Sequence, residues 1–227
     1  PPDDSLGSDA GVIWILFMNS DGTIKSSRKT TAGDGVADQA GAWFGQSITN
    51  LGDIDGDGVI DIAVGSHKYS VNGNAKGAVT VMLLNTDGSV KSSTRLTENQ
   101  GGFPSALATG GEFGYAVAGI GDVNKDGVPD LAIGAPYDGL NPSQTGATWV
   151  LLMNASGTVI GSVNIYNGAG GFSGGLLEVQ DGFGEALTGP GDIDGDGISD
   201  LIVGASGDDD GENQAGAFYV LFSAQSN

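Results

Sequence analysis

The chain has 227 residues, and 42 of them are glycine. An interior glycine costs a helix about 1 kcal/mol relative to alanine, so this load argues against an ordinary helical protein, while a hydrophobic share of 39% is enough for a core and argues against disorder. Twenty-eight acidic against eight basic residues give a formal net charge of -20, which disfavours nucleic acid and anionic membranes as partners and points to cations. The absence of cysteine excludes disulfides, thiolate zinc sites, iron–sulfur clusters and cysteine nucleophiles.

In chain order, the Pro1-Pro2-Asp3-Asp4 start has no signal-peptide character, and the longest apolar run, Val12 to Met18, is far short of the ~20 residues of a membrane helix. Membrane insertion is not expected. The block GVIWILFMN from Gly11 reads as a strand, because it is short, apolar and bounded by glycine and asparagine. It runs into Asn19-Ser20-Asp21-Gly22-Thr23, whose glycine suits a tight hairpin, and the polar stretch Thr23 to Thr30 reads as the return strand. Phe44-Gly45 then opens a new unit, followed eight residues after Phe44 by the block GDIDGDGVIDIAVG, in register from Gly52. A second apolar strand, GAVTVMLLN, starts at Gly77 and again has a hairpin and a polar return strand, Val90 to Thr97.

The same order recurs. Phe113-Gly114 and Phe183-Gly184 open runs like that of Phe44-Gly45, at intervals of 69 and 70 residues. GDVNKDGVPDLAIG begins at Gly121 and GDIDGDGISDLIVG at Gly191; GATWVLLMN begins at Gly146 and GAFYVLFSA at Gly216. Each unit therefore predicts four antiparallel strands: A over Phe44 to Thr49, B over Val59 to Val64, C over Gly77 to Leu84 and D over Val90 to Thr97. One such sheet buries too little surface to stand alone, so a stack of blades, an all-β propeller-like array, is the expected fold. The divisions are a partial blade with strands C and D at 1–42, full repeats at 43–112 and 113–182, and a partial repeat at 183–227. Pro2 to Gly11 resembles the B-to-C loop Pro136 to Gly146, as if the chain were cut inside a blade. Thirteen strands make little more than three blades, whereas closed propellers have four to eight, so open terminal strands are expected to pair with another copy.

The A-to-B connections carry the chemistry. Asp53, Asp55, Asp57 and Asp61 stand at positions 1, 3, 5 and 9 of a loop with Gly58 at position 6. Asp192, Asp194, Asp196 and Asp200 repeat this with Gly197, and the middle copy has Asp122, Asn124, Asp126 and Asp130 with Gly127. Side chains at 1, 3 and 5 converge when the backbone curls, and the glycine permits the turn that offers the carbonyl of position 7, which is Val59, Val128 or Ile198. Carboxylates this close repel unless a cation sits among them, and an all-oxygen flexible set suits Ca2+ better than Mg2+. An EF-hand is excluded because position 12 is Val64, Ile133 or Val203 where a bidentate Glu is required. Three calcium sites are expected.

The Phe-Gly opening, the D-x-[DN]-x-D-G-x-x-D loop and Gly134-Ala135-Pro136 resemble the FG-GAP repeats of integrin α-subunit propellers and of many bacterial surface proteins. The Asn-x-Asp-Gly-Thr hairpins with Lys-Ser after them are more similar to the bacterial arrays. The resemblance implies calcium in the three loops. It departs at Gly65-Ser66-His67 and Gly204-Ala205-Ser206, which replace Gly-Ala-Pro, and at Lys125, a cation inside the second loop.

No catalytic set converges. His67 is the lone histidine and reads as a loop residue, no G-x-S-x-G elbow precedes a helix, and Asp208, Asp209, Asp210 and Glu212 read as a solvated loop. Phe103 and Phe172, in matching Gly-Gly-Phe contexts, read as packing between blades; Asn154-Ala155-Ser156 matches a glycosylation sequon inside a tight hairpin; Trp43 has no assigned role. The expected function is a non-enzymatic, calcium-binding extracellular or cell-surface module that recognises a protein or glycan, the alternative being a structural subunit of a surface layer or filament that self-associates through open blade edges.

Overall fold

A computed structural model describes residues 9–30, 34, 36, 39–140, 145–209 and 215–224. Among these the chain is all-β, without an α-helix. The N-terminal hairpin pairs β1 (Trp14–Met18) with β2 (Ile24–Lys29). The next sheet holds β3 (Ile48–Gly52), β4 (Asp61–Ser66), β7 (Ala78–Leu84) and β8 (Val90–Leu96), in the order β3-β4-β7-β8. A second four-stranded sheet repeats this with β9 (Val117–Gly121), β10 (Asp130–Ala135), β11 (Ala147–Met153) and β12 (Val159–Ile165). The last sheet holds β13 (Ala186–Gly191), β14 (Asp200–Ala205) and β15 (Ala217–Leu221). Every pairing within these sheets is antiparallel, which is the propeller-like blade expected from the repeat.

Strands A and B, at Ile48–Gly52 and Asp61–Ser66, both lie further along the chain than the sequence reading placed them. Strand A begins at Ile48 rather than Phe44, and strand B at Asp61 rather than Val59. The Phe-Gly pair is instead the joint between blades. The Phe44, Phe113 and Phe183 amides donate to Ala10, Lys76 and Thr145 of the preceding unit at 3.0 to 3.2 Å. The Gly45, Gly114 and Gly184 amides donate to the carbonyls of Gly65, Gly134 and Gly204 of the same unit at 3.0 to 3.1 Å. An unforeseen small hairpin, β5 (Ser70–Val71) with β6 (Asn74–Ala75), interrupts the first B-to-C loop. Its cause is Asn72-Gly73, both at positive φ, the pair that a two-residue type I′ turn requires.

The core lies between sheets. Leu131, Ile133, Leu151 and Met153 of the second blade share one cluster with Val79, Val81 and Leu96 of the first. Phe103 and Phe172, from the D-to-A connections, pack as expected: Phe103 lies 5.2 Å from Phe113 and 5.0 Å from Trp149, ring to ring, and Phe172 lies 5.2 Å from Phe183 and 5.3 Å from Tyr219. The return strand β2 is mostly polar and exposed, as an outer edge should be, and β8 is mostly polar but largely half-buried. The start read as a B-to-C loop lies mostly outside the described residues, at 1–8.

Blade spacing is set by glycine. A Cβ on Gly134 would stand 1.9 Å from the Gly184 carbonyl oxygen of the next unit. Gly134→Ala should therefore destabilise the chain by about 1 to 3 kcal/mol or more, as overpacking does. Gly139→Ala, where nothing lies within 4 Å of an added Cβ, is the control. Thermal melts of both variants should show a large loss for the first and little change for the second.

Candidate metal centre

In each A-to-B loop the last aspartate opens strand B and is buried: Asp61, Asp130 and Asp200 are at most 1% exposed. Each carboxylate fastens two segments. The Oδ2 atoms accept from the amides of Ile54, Val123 and Ile193 in the loop at 2.7 to 3.0 Å. The Oδ1 atoms accept from Leu84, Met153 and Ser223, at the far end of strand C, at 2.9 to 3.0 Å. The first aspartate curls the loop: Asp53 accepts from Gly56, Asp57 and Gly58, and Asp192 from Gly195, Asp196 and Gly197. Asp122 accepts from Asp126 and Gly127 in the same way.

Position 4 of the curl lies in the left-handed region, at φ 76° for Gly56 and 81° for Gly195. Lys125 holds the same place at φ 62°, a conformation that costs a residue with a Cβ about 1 kcal/mol. The backbone amides thus leave selected oxygens free to face inward. Ligand oxygens of Asp53, Asp55 and Asp61 lie within 4.8 Å of one another, and so do those of Asp192, Asp194 and Asp200. Asp57 and Asp196 stand outside these mutually close triads, each with one oxygen accepting from the position-7 amide of Val59 or Ile198 at 2.8 Å. In the middle loop Asn124 reduces the carboxylates to Asp122, Asp126 and Asp130, and its Nδ2 donates to Asp126 Oδ2 at 2.8 Å.

The donor set is oxygen throughout, and the first loop already holds a cation. The Lys91 ammonium from β8 lies 2.6 Å from Asp55 Oδ2 and 2.8 Å from Asp57 Oδ2. Those hydrogen bonds hold the Asp57 carboxyl below the ordinary carboxylate range and push Lys91 well above the usual lysine value. Burial acts oppositely on position 9. It raises Asp61, with Asp55 and Asp57 adding repulsion, and pushes Asp130 up to about 6.

At the other end of the blades, His67 lies in the turn after β4, as expected of a loop residue, and is buried there, 6% exposed, edge-on to Trp43 at 5.9 Å and to Tyr115 at 5.4 Å. Trp43 sits at φ 60° and is half exposed. Glu112, joined to Lys68, lies 3.9 Å from His67 Nε2, and Tyr137 extends the aromatic row from Tyr115 at 6.4 Å. The spacing of single residues in four different loops left no motif that marks this cluster in the sequence. Asp208, read as solvated, is buried and accepts from the Tyr219 hydroxyl at 2.5 Å; Asp210 and Glu212 lie outside the described residues. No helix among the described residues is long and apolar enough to cross a membrane.

The FG-GAP repeat model matches residues 44–82, 113–151 and 183–221. Integrin alpha-3 of Cricetulus griseus is 31% identical over 201 residues, 87% of this chain and 17% of its own length. Integrin alpha-PS2 of Drosophila melanogaster is 34% identical over 181 residues, 75% of this chain and 12% of its own. Integrin alpha-IIb of Mus musculus is 34% identical over 178 residues, 75% and 15% respectively. The chain thus spans less than a fifth of the length of these relatives.

The raised Asp130 carboxyl has a direct readout. The folded chain holds this proton more tightly than the unfolded one. Its contribution to metal-free stability is therefore full below the ordinary value of 3.8 and lost as pH rises through about 6. Carboxyl 13C NMR in chelator should give Asp130 a midpoint near 6, and a midpoint under about 5 would contradict the effect of burial.

Proposed function

The chain belongs to the FG-GAP repeat family, and we propose that it is a non-enzymatic calcium-binding module of adhesion or recognition that works outside the cell or at its surface. The observation that carries this is the recurrence of one oxygen cage at one phase of the repeat, with two triads of carboxylates held within 4.8 Å by backbone amides. Asp53, Asp55, Asp57 and Asp61 with the Val59 carbonyl would hold the first ion. Asp122, Asn124, Asp126 and Asp130 with Val128 would hold the second, and Asp192, Asp194, Asp196 and Asp200 with Ile198 the third. Calcium supplies positive charge where buried carboxylates have too little, and the oxygen-only set with bent, adaptable loops fits its 6 to 8 ligands. An extracellular setting agrees with this, because such modules bind calcium at about 10^-4 to 10^-3 M.

Recognition belongs to the opposite end of the blades. The A-to-B loops share one end with the C-to-D hairpins, which leaves the D-to-A and B-to-C loops for a protein or glycan. Trp43, His67, Tyr115 and Tyr137 lie there with Glu112 and Glu185, and aromatic rings beside carboxylates suit either class of ligand.

A second reading, a structural subunit that assembles through blade edges, draws on one observation. Among the described residues β15 pairs only with β14, and Trp14, Leu16, Met18, Phe218 and Phe222 are 48% to 71% exposed.

Three measurements test these readings. At tenfold to hundredfold excess over its dissociation constant each ion adds about 1.4 to 2.7 kcal/mol. Calorimetric titration should therefore find three ions, and a chelator should lower the melting midpoint by more than 10 °C, roughly the effect of several kcal/mol on a chain this long. An unchanged midpoint refutes calcium as a folding ligand. Light scattering in calcium separates recognition from assembly: a lasting monomer favours the first, and growing or closed oligomers favour the second.

A further inference from the structure

We propose that Lys91 is a tethered cation that occupies the first metal loop when calcium is absent and competes with calcium for it. This rests on the calcium reading of the loops. The geometry is specific to free oxygens. Asp55 Oδ1 accepts from the Asp57 amide and Asp57 Oδ1 accepts from the Val59 amide. The two Oδ2 atoms left over are the ones that Lys91 Nζ approaches, at 2.6 and 2.8 Å. A metal drawing on those oxygens must displace the ammonium or bind beside it against its charge.

The repeat provides its own comparison. Lys91 is the second residue of the return strand β8, and the second residue of β12, at the same place in the next blade, is Ile160, 59% exposed. Ile160 brings no cation to the middle loop. In the third loop Lys125 comes near Gly197, with its Nζ 3.5 Å from where a Cβ on that glycine would be, but no ion pair joins it to the third triad among the described residues. Three loops of nearly one sequence are therefore unequal. The first is neutralised in part by its own chain, while among the described residues no ion pair reaches the carboxylates of the third, although both keep the same amide-held curl.

The consequence is an order of filling that the ligand sets alone do not give. By its four aspartates the first loop equals the third, but it must bind calcium more weakly. Two solvent-exposed ion pairs must be broken or opposed, and such pairs are weak, so the difference is roughly threefold to tenfold in affinity.

The test follows the position-6 amides of Gly58, Gly127 and Gly197 by NMR during a calcium titration of the whole chain, in the wild type, in Lys91→Ile and in Lys91→Arg. Lys91→Ile should move the Gly58 midpoint to about threefold to tenfold lower calcium and leave Gly197 in place. Lys91→Arg, which keeps the charge, should behave as the wild type. In chelator Lys91→Ile should also melt below the wild type, because the first loop loses the ammonium that partly neutralises its carboxylates. An unmoved Gly58 midpoint, or equal movement of Gly58 and Gly197, overturns the role of Lys91 while calcium binding stands. Absence of any calcium response at all three glycines overturns the calcium reading and this inference with it.

Discussion

A buried carboxylate at the first residue of strand B organises each repeat. Asp61, Asp130 and Asp200 are closed off from solvent, yet each accepts two backbone amides, one from its loop and one from the far end of strand C. Those bonds fix the loop's exit, the start of the strand and the end of its neighbour at a single side chain. At Asp61 and Asp130 they do not balance the cost of burying the charge, and both carboxyls are pushed upward. A group in this state is costly when ionised and alone. Positions 1 and 3 add further carboxylates beside it, so the loop is folded by backbone amides and left short of positive charge. A cation in the cage answers a deficit that the fold itself creates.

The second constraint is closeness between blades. The Phe-Gly pair donates one amide to the preceding unit and one to a glycine of its own strand B, and at Gly65 and Gly134 a Cβ on that glycine would run into the carbonyl of the next Phe-Gly glycine. On the inner strands the Gly119 amide donates to Thr49 Oγ1 at 3.0 Å, and Gly189 would meet the Gly119 carbonyl if it carried a Cβ. Such an array has nearest-neighbour energetics, in which each unit contributes its own stability and an interface with the next. The glycine load that first argues against a helical protein is thus spent largely on turns and on these approaches.

The strands, their order and the phase of the acidic loops were legible because each recurs with little change in spacing. Repetition separates a signal from the composition of a Gly- and Asp-rich chain, where single Asp-Gly turns mean little. The strand ends were less legible. Val59 looks like the start of an apolar strand, but the bulge between Asn50 and Gly52 brings Asp61 opposite Gly52 and makes the aspartate the first strand residue. Phe44 looks like the start of strand A because it is aromatic, yet its amide is turned to another unit. The β5–β6 hairpin was marked by Asn72-Gly73 but lay inside a loop with no second copy to draw attention to it. Lys91 and the His67 cluster depend on side chains distant in sequence, 34 or 36 residues from the loop in one case and spread over several loops in the other. Pattern alone does not bring such residues together.

The same repeat that makes the loops alike also lets them diverge in strength without changing the fold. The curl is held by amides that every copy possesses, so the ligand atoms keep their places whether position 3 is Asp55, Asn124 or Asp194. What varies is charge: three or four carboxylates in the loop, a lysine from the neighbouring strand or none. Charge sets how tightly a cage of fixed shape holds a hard cation, whereas the shape is protected by the blade. An array built this way separates architecture from affinity, and each site can be tuned by one exposed residue at the cost of almost nothing in packing. The opposite end of the blades has no such separation, because Trp43 and Glu112 occupy left-handed conformations beside the Phe-Gly joints themselves. Changes there reach the contact between blades directly, so that face is bound to the spacing of the array in a way that the acidic loops are not.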